Sequence, residues 1–359
     1  MFRSPTLFVV GAGASCEVGL PSGAALRENI AKLLDIRFEN GVRQQSGDYE
    51  VWQAISIAAK EAGHQAQVNA YRAAACQIAG AMTQAISIDN YIDAHRGNKM
   101  IEACGKIAIV RAILMAESQS AIYYGQDKHK PFNYAPPKAW FQLFFQRLTE
   151  GVARSEVKNV FENVAIVTFN YDRCIEHYLY HALQNYYGIG ASEAASLMET
   201  LRIYHPYGVA GRLPWQAEGQ PGVAFGDEGY AQTLLHLSKQ IKTFTERVEE
   251  ERFLDAIRSE VAQAETLIFL GFAYAEQNME LLTPPKHKVV EGGLTTRTRK
   301  VIGTASGISA ADVKVVIEQI ADFLDRIVRN DGPLGCQTNI RNDLYCAGLF
   351  EQYQRSMSR

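Results

Sequence analysis

Residues able to handle a phosphorylated ligand fall at five places in the sequence, each directly after a short apolar run. The first is "LFVVGAGAS", residues 7–15, where Gly11, Ala12, Gly13 and Ser15 follow four apolar residues. Glycines at such a point let the backbone turn sharply and approach a pyrophosphate, and a helix beginning near Ser15 would aim its first amides at the anion. The G-x-G-x-x-G spacing is incomplete, because position 16 is Cys16 and the next glycine is Gly19. A tight strand-to-helix turn with no ligand is the alternative reading of this motif. The second place, "TFNYD", supplies Asn170 and Asp172. The third, "YHPYG", supplies His205, Tyr207 and Gly208. The fourth, "LGFAY", supplies Gly271, Phe272 and Tyr274, and the fifth, "GTASG", supplies Gly303, Thr304 and Ser306. His205 is the one general base of the usual kind among them, able to exchange a proton near neutral pH. Asp172 also suits a helix cap for "RCIEHYLYHAL". His177 and His181 stand four apart on that helix and mimic a metal pair, but no third ligand accompanies them, so packing accounts for them better. No metal site is expected.

Such residues need a scaffold that gathers strand ends. "LFVVGAG", "VAIVTFNYD", "LRIYHPYG", "TLIFLGFAY" and "KVIGTASG" read as strands buried on both faces, with helical patterns between most of them. That alternation predicts an α/β fold: a Rossmann-like, mostly parallel sheet with helices on both faces. Ligands of such sheets bind at the carboxyl ends of the strands, where all five groups lie. Asn170, at a strand end, is expected to be exposed, so that replacing it would leave the fold intact. Residues 24–163 break the rhythm and read as a large, mostly helical insertion after the first strand, within a single domain spanning residues 1–359. Residues 233–264 read as one helical stretch. No acidic residue ends a clear second strand about 20 residues after the glycines, as a hydride-transferring dehydrogenase requires. Asp35 and Glu39 of "LLDIRFEN" lie in a helical-looking stretch.

Composition narrows the function classes further. A net charge of -3 argues against a general nucleic-acid surface, which is usually basic. No apolar run approaches the ~18 residues of a membrane span. The start "MFRSPTLFVV" has one Arg and then a strand-like run, and is expected to be a strand rather than a secretory leader. The six cysteines are scattered and contain no C-x-x-C pair, which fits a reducing cytoplasm and no zinc cluster.

Taken in order, "GAGAS", "GLPSG", "TFNYD", the His-Gly strand end, "LGFAY" and "GTASG" resemble the sirtuin-like NAD-binding domain, in its bacterial branch that hydrolyses NAD in antiphage defence. Asn170 and Asp172 match the Asn and Asp of the deacylases' Gln-Asn-Ile-Asp, with Phe169 in place of the Gln. The Asp-Phe-Arg and paired C-x-x-C zinc module of the deacylases are absent, so the resemblance does not imply protein deacylation. It implies NAD as substrate, with Asn170 and His205 catalytic. Asp172 and Tyr207 would be catalytic or orienting. Gly11, Ala12, Gly13, Ser15, Pro21, Asp89, Gly208, Gly271, Phe272, Tyr274, Gly303 and Thr304 would line the substrate. Asp89 belongs to "SIDNYIDAH", which resembles a site-flanking segment of the branch and equally suits a helix cap. Relatives often place a histidine directly before the glycine. Here that place holds Tyr207, so either His205 supplies the base from two residues earlier or the histidine role is lost, and His205 is favoured. If both lie on the strand, they face the same side.

Uncontrolled NAD destruction is lethal, so the resemblance also implies control. No Walker sequence appears in the chain. A homo-oligomer docking a separate sensor is expected, such as a HerA-type ATPase, or alternatively an Argonaute-like protein or a phage component. The docking surface is expected on the helical insertion, where "YRAAACQIAGAM" and "AWFQLFF" carry more apolar residues than one buried face needs. The alternatives are a module that senses NAD or ADP-ribose without chemistry, and an NAD-dependent deacylase or ADP-ribosyltransferase.

Overall fold

The computed structural model describes residues 1–40, 42–63, 68–123, 139–217, 222–244, 246, 250–283, 298–327 and 336–357. The first half contains β1 (Thr6–Val10), α1 (Ala12–Cys16), α2 (Gly23–Leu34), β2 (Arg37–Glu39), β3 (Arg43–Ser46), α3 (Tyr49–Glu61), α4 (Val68–Ala81), α5 (Ile88–Ala94), α6 (Lys99–Ser118) and α7 (Trp140–Thr149). Then come β4 (Val164–Thr168), α8 (Cys174–Tyr187), α9 (Ala191–Met198), β5 (Arg202–Tyr204), α10 (Ala231–Ser238), α11 (Glu251–Gln263) and β6 (Thr266–Leu270). Last are α12 (Glu276–Leu282), β7 (Lys300–Thr304), α13 (Ala310–Ile327), β8 (Gln337–Arg341) and α14 (Cys346–Tyr353).

Six strands form one all-parallel sheet in the order β5-β4-β1-β6-β7-β8. Counted within the sheet, that is the order of the doubly wound dinucleotide-binding fold, with the reversal between β1 and β6. The fold is therefore α/β and Rossmann-like. Every residue of β1, β4 and β6 is buried. Alternate side chains supply two cores, one on each face of the sheet. Leu7, Val9, Val167, Leu267 and Phe269 pack on one face under α2, α3, α4, α6 and α10–α13. Phe8, Val10, Ile166, Ile268 and Leu270 pack on the other under α7, α8, α9 and α14.

The long connection from β1 to β4 is mostly helical, as its alanine-rich periodicity predicts, but it also contains an antiparallel ribbon of β2 and β3. "LLDIRFEN" thus leaves its helix at Leu34 and continues as a strand. The ribbon had no apolar alternation to announce it; Phe38, the one apolar residue of its two strands, is half-buried and edge-on to Trp52 at 5.3 Å. The edge strand β8, "QTNIR", was likewise unannounced, because only Ile340 in it is buried. The stretch 233–264 is not one continuous helix: α10 ends at Ser238, residues 239–243 leave the helix, and α11 runs from Glu251 to Gln263.

The apolar side chains expected to form a docking surface are interior instead. Tyr71, Ala74, Ala75, Ile78 and Met82 lie in the first core, and Trp140, Phe141, Phe144 and Phe145 in the second. The segment serves both faces of the sheet, which is why its apolar content exceeds what one helical face needs.

A buried ion pair ties this segment to the sheet edge. Glu117, at the end of α6, receives the backbone amide and Nε of Arg173 at 3.2 and 3.0 Å, a further bond from its guanidinium, and the Gly226 amide at 3.0 Å. The Arg173 guanidinium also donates to the carbonyls of Val223 and Ala224 at 2.6 and 2.9 Å. Both side chains are almost wholly excluded from solvent.

Candidate active site at the carboxyl edge of the sheet

The glycines after β1 and β6 meet each other. A Cβ on Gly11 would stand 2.6 Å from the Gly271 carbonyl oxygen, and one on Gly13 2.9 Å from the Gly271 Cα. Gly271 itself has φ +55°, and a Cβ there would fall 2.0 Å from the Ala14 nitrogen. The close approach to the backbone at this turn is therefore made by the chain itself. The amides of Gly11, Gly13 and Ala14 donate to Leu270, Gly271 and Gly11 at 2.9, 3.0 and 3.0 Å. A pyrophosphate at this turn has to compete with those bonds. Thr304 Oγ1 accepts from the Gly271 amide at 2.8 Å, and Tyr274 donates its hydroxyl to the Thr304 carbonyl at 3.1 Å. Gly303 leaves the room Tyr274 needs, since a Cβ would lie 2.5 Å from its hydroxyl. Gly271→Ala is expected to cost about 1–3 kcal/mol through overpacking against this turn, read as a lower denaturation midpoint. A midpoint equal to wild type would show that the turn yields freely.

On the β4–β5 side the strand ends carry a buried polar network. Asn170 Nδ2 donates to the Gly11 carbonyl at 3.1 Å and to Ser15 Oγ at 3.0 Å. The Ser15 hydroxyl is hydrogen-bonded to Asp172, which also accepts from the Cys174 amide at 3.1 Å. Asp172 thus steadies the start of α8. Burial raises its carboxyl above the ordinary range, against the hydrogen bonds from Cys174 and Ser15. His205 Nδ1 lies 3.3 Å from the Asn170 carbonyl oxygen, and its Nε2 lies 2.7 Å from Glu176 Oε1. Asn170 is buried rather than exposed. It cannot be removed without leaving the Gly11 carbonyl and Ser15 hydroxyl short of a partner, which costs stability as well as any chemistry.

Both neighbours of the His205 ring are acceptors, so both contacts are hydrogen bonds only when both nitrogens carry protons. Burial alone lowers the imidazole pKa. The charge and hydrogen bond of Glu176, the Asn170 carbonyl and the Asp172 charge together outweigh it, and the pKa lies above the ordinary 6.5. A raised folded-state pKa stabilises the fold fully below the unfolded value. That stability is lost as pH rises through the folded value. Wild type is therefore expected to lose stability as pH climbs above 6.5, and His205→Gln to lack that component. Denaturation midpoints along a pH series test this; parallel curves for the two proteins would refute it.

His205 and Tyr207 do not share a strand face, because β5 ends at Tyr204 and the two residues lie in a turn closed by the Gly208 amide on the His205 carbonyl at 3.1 Å. Gly208 has φ +77°, and a Cβ there would overlap the Gln240 carbonyl oxygen at 2.0 Å. Tyr207 donates its hydroxyl to Asn278 Oδ1 at 2.7 Å. Burial, then the charges of Asp89 and Asp93, raise its phenol further above neutrality. Its ring stands edge-on to Phe169 at 5.9 Å, and Phe272 lies 5.2 Å from Phe169. Tyr171 donates to Asp89 and so brings the helix α5 to this aromatic wall.

Of the residues singled out in the sequence, Gly11, Gly13, Gly271, Phe272, Tyr274, Gly303 and Thr304 converge beside the sheet reversal, and Ser15, Asn170, Asp172 and His205 form the polar network. Tyr207 and Asp89 line the aromatic wall. Ala12 belongs to the first turn after β1, and Ser306 is exposed beyond β7. Pro21, half-buried between the Gly19 turn and the Ser22 cap of α2, takes no part in the network. His177 is a packing residue: it stacks on Phe225 at 3.9 Å, bonds the Ile122 carbonyl at 3.0 Å, and burial drives its pKa well down. Among the described residues no three His, Cys, Asp or Glu side chains cluster as metal ligands, and no helix is long and apolar enough to cross a membrane. Glu176 went unnoticed in the sequence. Its one signal was its place a helical turn after Asp172, in the first turn of α8. No known protein family matches this chain, and no curated protein is significantly similar to it.

Proposed function

We propose that this chain cleaves the nicotinamide–ribose bond of NAD with water, releasing nicotinamide and ADP-ribose. The observation that carries the reading is the meeting of Ser15, Asn170, Asp172 and His205 at the carboxyl edge of a parallel sheet, beside the point where strand order reverses. Cleavage builds positive charge on the ribose, as in other glycosyl transfers. Asn170 orders the ribose or the attacking water. His205, once deprotonated, takes the proton from that water. Its raised pKa places this ionisation above 6.5, so the rate rises with pH through that range. No step requires a metal.

The ordered motifs shared with the sirtuin-like branch support a role as a toxic effector of bacterial antiphage defence, held latent in the cytoplasm. Control by self-assembly and by a separate sensor, such as a HerA-type ATPase, is proposed on that resemblance alone. NADP is an alternative substrate. The test is chromatographic detection of nicotinamide from purified protein given NAD or NADP, alone and in lysate from phage-infected cells. Absence of nicotinamide under every condition would defeat the reading. One observation favours a non-catalytic sensor of NAD or ADP-ribose: both His205 nitrogens are already engaged, by the Asn170 carbonyl and Glu176. Tight calorimetric binding of NAD without turnover selects that second reading. ADP-ribose on a peptide, or loss of an acyl group from it, selects a transferase or deacylase.

A further inference from the structure

Glu176 is buried, and among the described residues only one of its carboxylate oxygens has a hydrogen-bonding partner. Oε1 lies 2.7 Å from His205 Nε2, while Oε2, buried as well, meets no donor among the described residues. A carboxylate so placed is costly unless a cation stands against it. Arg173, three residues earlier, is committed to Glu117. The His205 imidazole is the group placed to supply that charge. The pairing therefore binds both ways: the acid needs the ring protonated at Nε2, and the ring is held by the acid.

We infer that Glu176 is the positioning residue for His205, anchoring its Nε2 so that Nδ1 is the nitrogen that exchanges a proton during reaction. This rests on the NAD-cleavage reading for the reaction itself, but not for the pairing. Among the groups facing the ring are Glu176 on α8, Asp172 on the turn before α8, and the Asn170 carbonyl at the end of β4. When His205 loses one proton, Nε2–H stays on the carboxylate and the Nδ1 proton leaves. The Nδ1 lone pair then faces a carbonyl oxygen it cannot bond, and it is satisfied by accepting from water. In the reaction that water's oxygen bonds to the anomeric carbon of the ribose. Its proton passes to Nδ1 and later to solvent, and the nicotinamide nitrogen departs with the electron pair of the broken bond. A fixed tautomer and orientation are what an orienting carboxylate gives to a catalytic histidine.

The test is nuclear magnetic resonance of full-length protein labelled with nitrogen-15 in histidine, titrated with pH. The His205 signals are those lost in His205→Gln. The expected result is a wild-type His205 that is neutral as the Nε2–H tautomer at high pH. In Glu176→Gln its titration moves to lower pH and the single tautomer is lost. If Glu176→Gln fails to fold, Glu176→Asp keeps the charge on a shorter arm, and a weakened preference for the Nε2–H form is expected there. An unchanged titration and tautomer in a folded variant, or an Nδ1–H tautomer in wild type, overturns the inference. In parallel, nicotinamide release by Glu176→Gln is expected to fall about tenfold or more in kcat, a share of what a general base contributes, with KM little changed and the rising limb of the pH profile displaced to lower pH. Should wild type release no nicotinamide while the titration behaves as expected, the NAD-cleavage reading falls and the Glu176–His205 pairing stands.

Discussion

Glu117→Ala is expected to lower the unfolding free energy by about 3–5 kcal/mol, the usual cost of stripping one partner from a buried ion pair. The size follows from what is left behind. Arg173 would keep its charge in a site almost closed to water, beside the Val223 and Ala224 carbonyls and the Phe225 ring, none of which neutralises it. The Gly226 amide would lose its acceptor too. Removing both charges, as in Glu117→Leu with Arg173→Met, is expected to recover a good part of the loss, because the desolvation cost of both ions disappears with them. Chemical denaturation of the wild type and these two variants decides it. A single-variant loss below about 1 kcal/mol, the scale of an exposed pair, would mean that water reaches this site.

The second large effect concerns chemistry. His205→Gln is expected to reduce nicotinamide release by about 100-fold to 10,000-fold, the range a positioned general base contributes. Gln is chosen because it keeps a donor toward Glu176, so circular dichroism and melting should still show a folded protein. Tyr207→Phe serves as the control. Its hydroxyl bonds Asn278 and its phenol stays protonated at neutral pH, so removing that oxygen should leave turnover largely intact. Wild-type turnover in His205→Gln combined with its loss in Tyr207→Phe would transfer the role to the tyrosine. Loss in both would point to the turn they share rather than to either side chain.

The parts of the fold legible in advance were those whose signal is local. "TLFVV", "VAIVT" and "TLIFL" are apolar throughout, and a strand covered on both faces needs little else. "QTNIR" at the sheet edge and the β2–β3 ribbon bury too little to leave such a pattern. Their pairing comes from backbone hydrogen bonds with neighbours, which no side-chain periodicity records.

By itself, then, the sequence determined that strands and helices alternate, that the sheet is mainly parallel, and that its glycines and chemically able side chains gather at the strand ends. Short-range hydrophobic pattern and turn chemistry are enough for that. Only the tertiary structure decided what each of those residues meets. Sheet order sets the Gly271 backbone against Gly11 and Gly13, which accounts for the glycines without any ligand. The parallel placement of β4 and β5 brings His205 to the first turn of α8, where Glu176 meets its ring, and encloses Asn170 between Gly11 and Ser15. Such partners lie far apart along the chain, and their distances are fixed only when both faces of the sheet are packed.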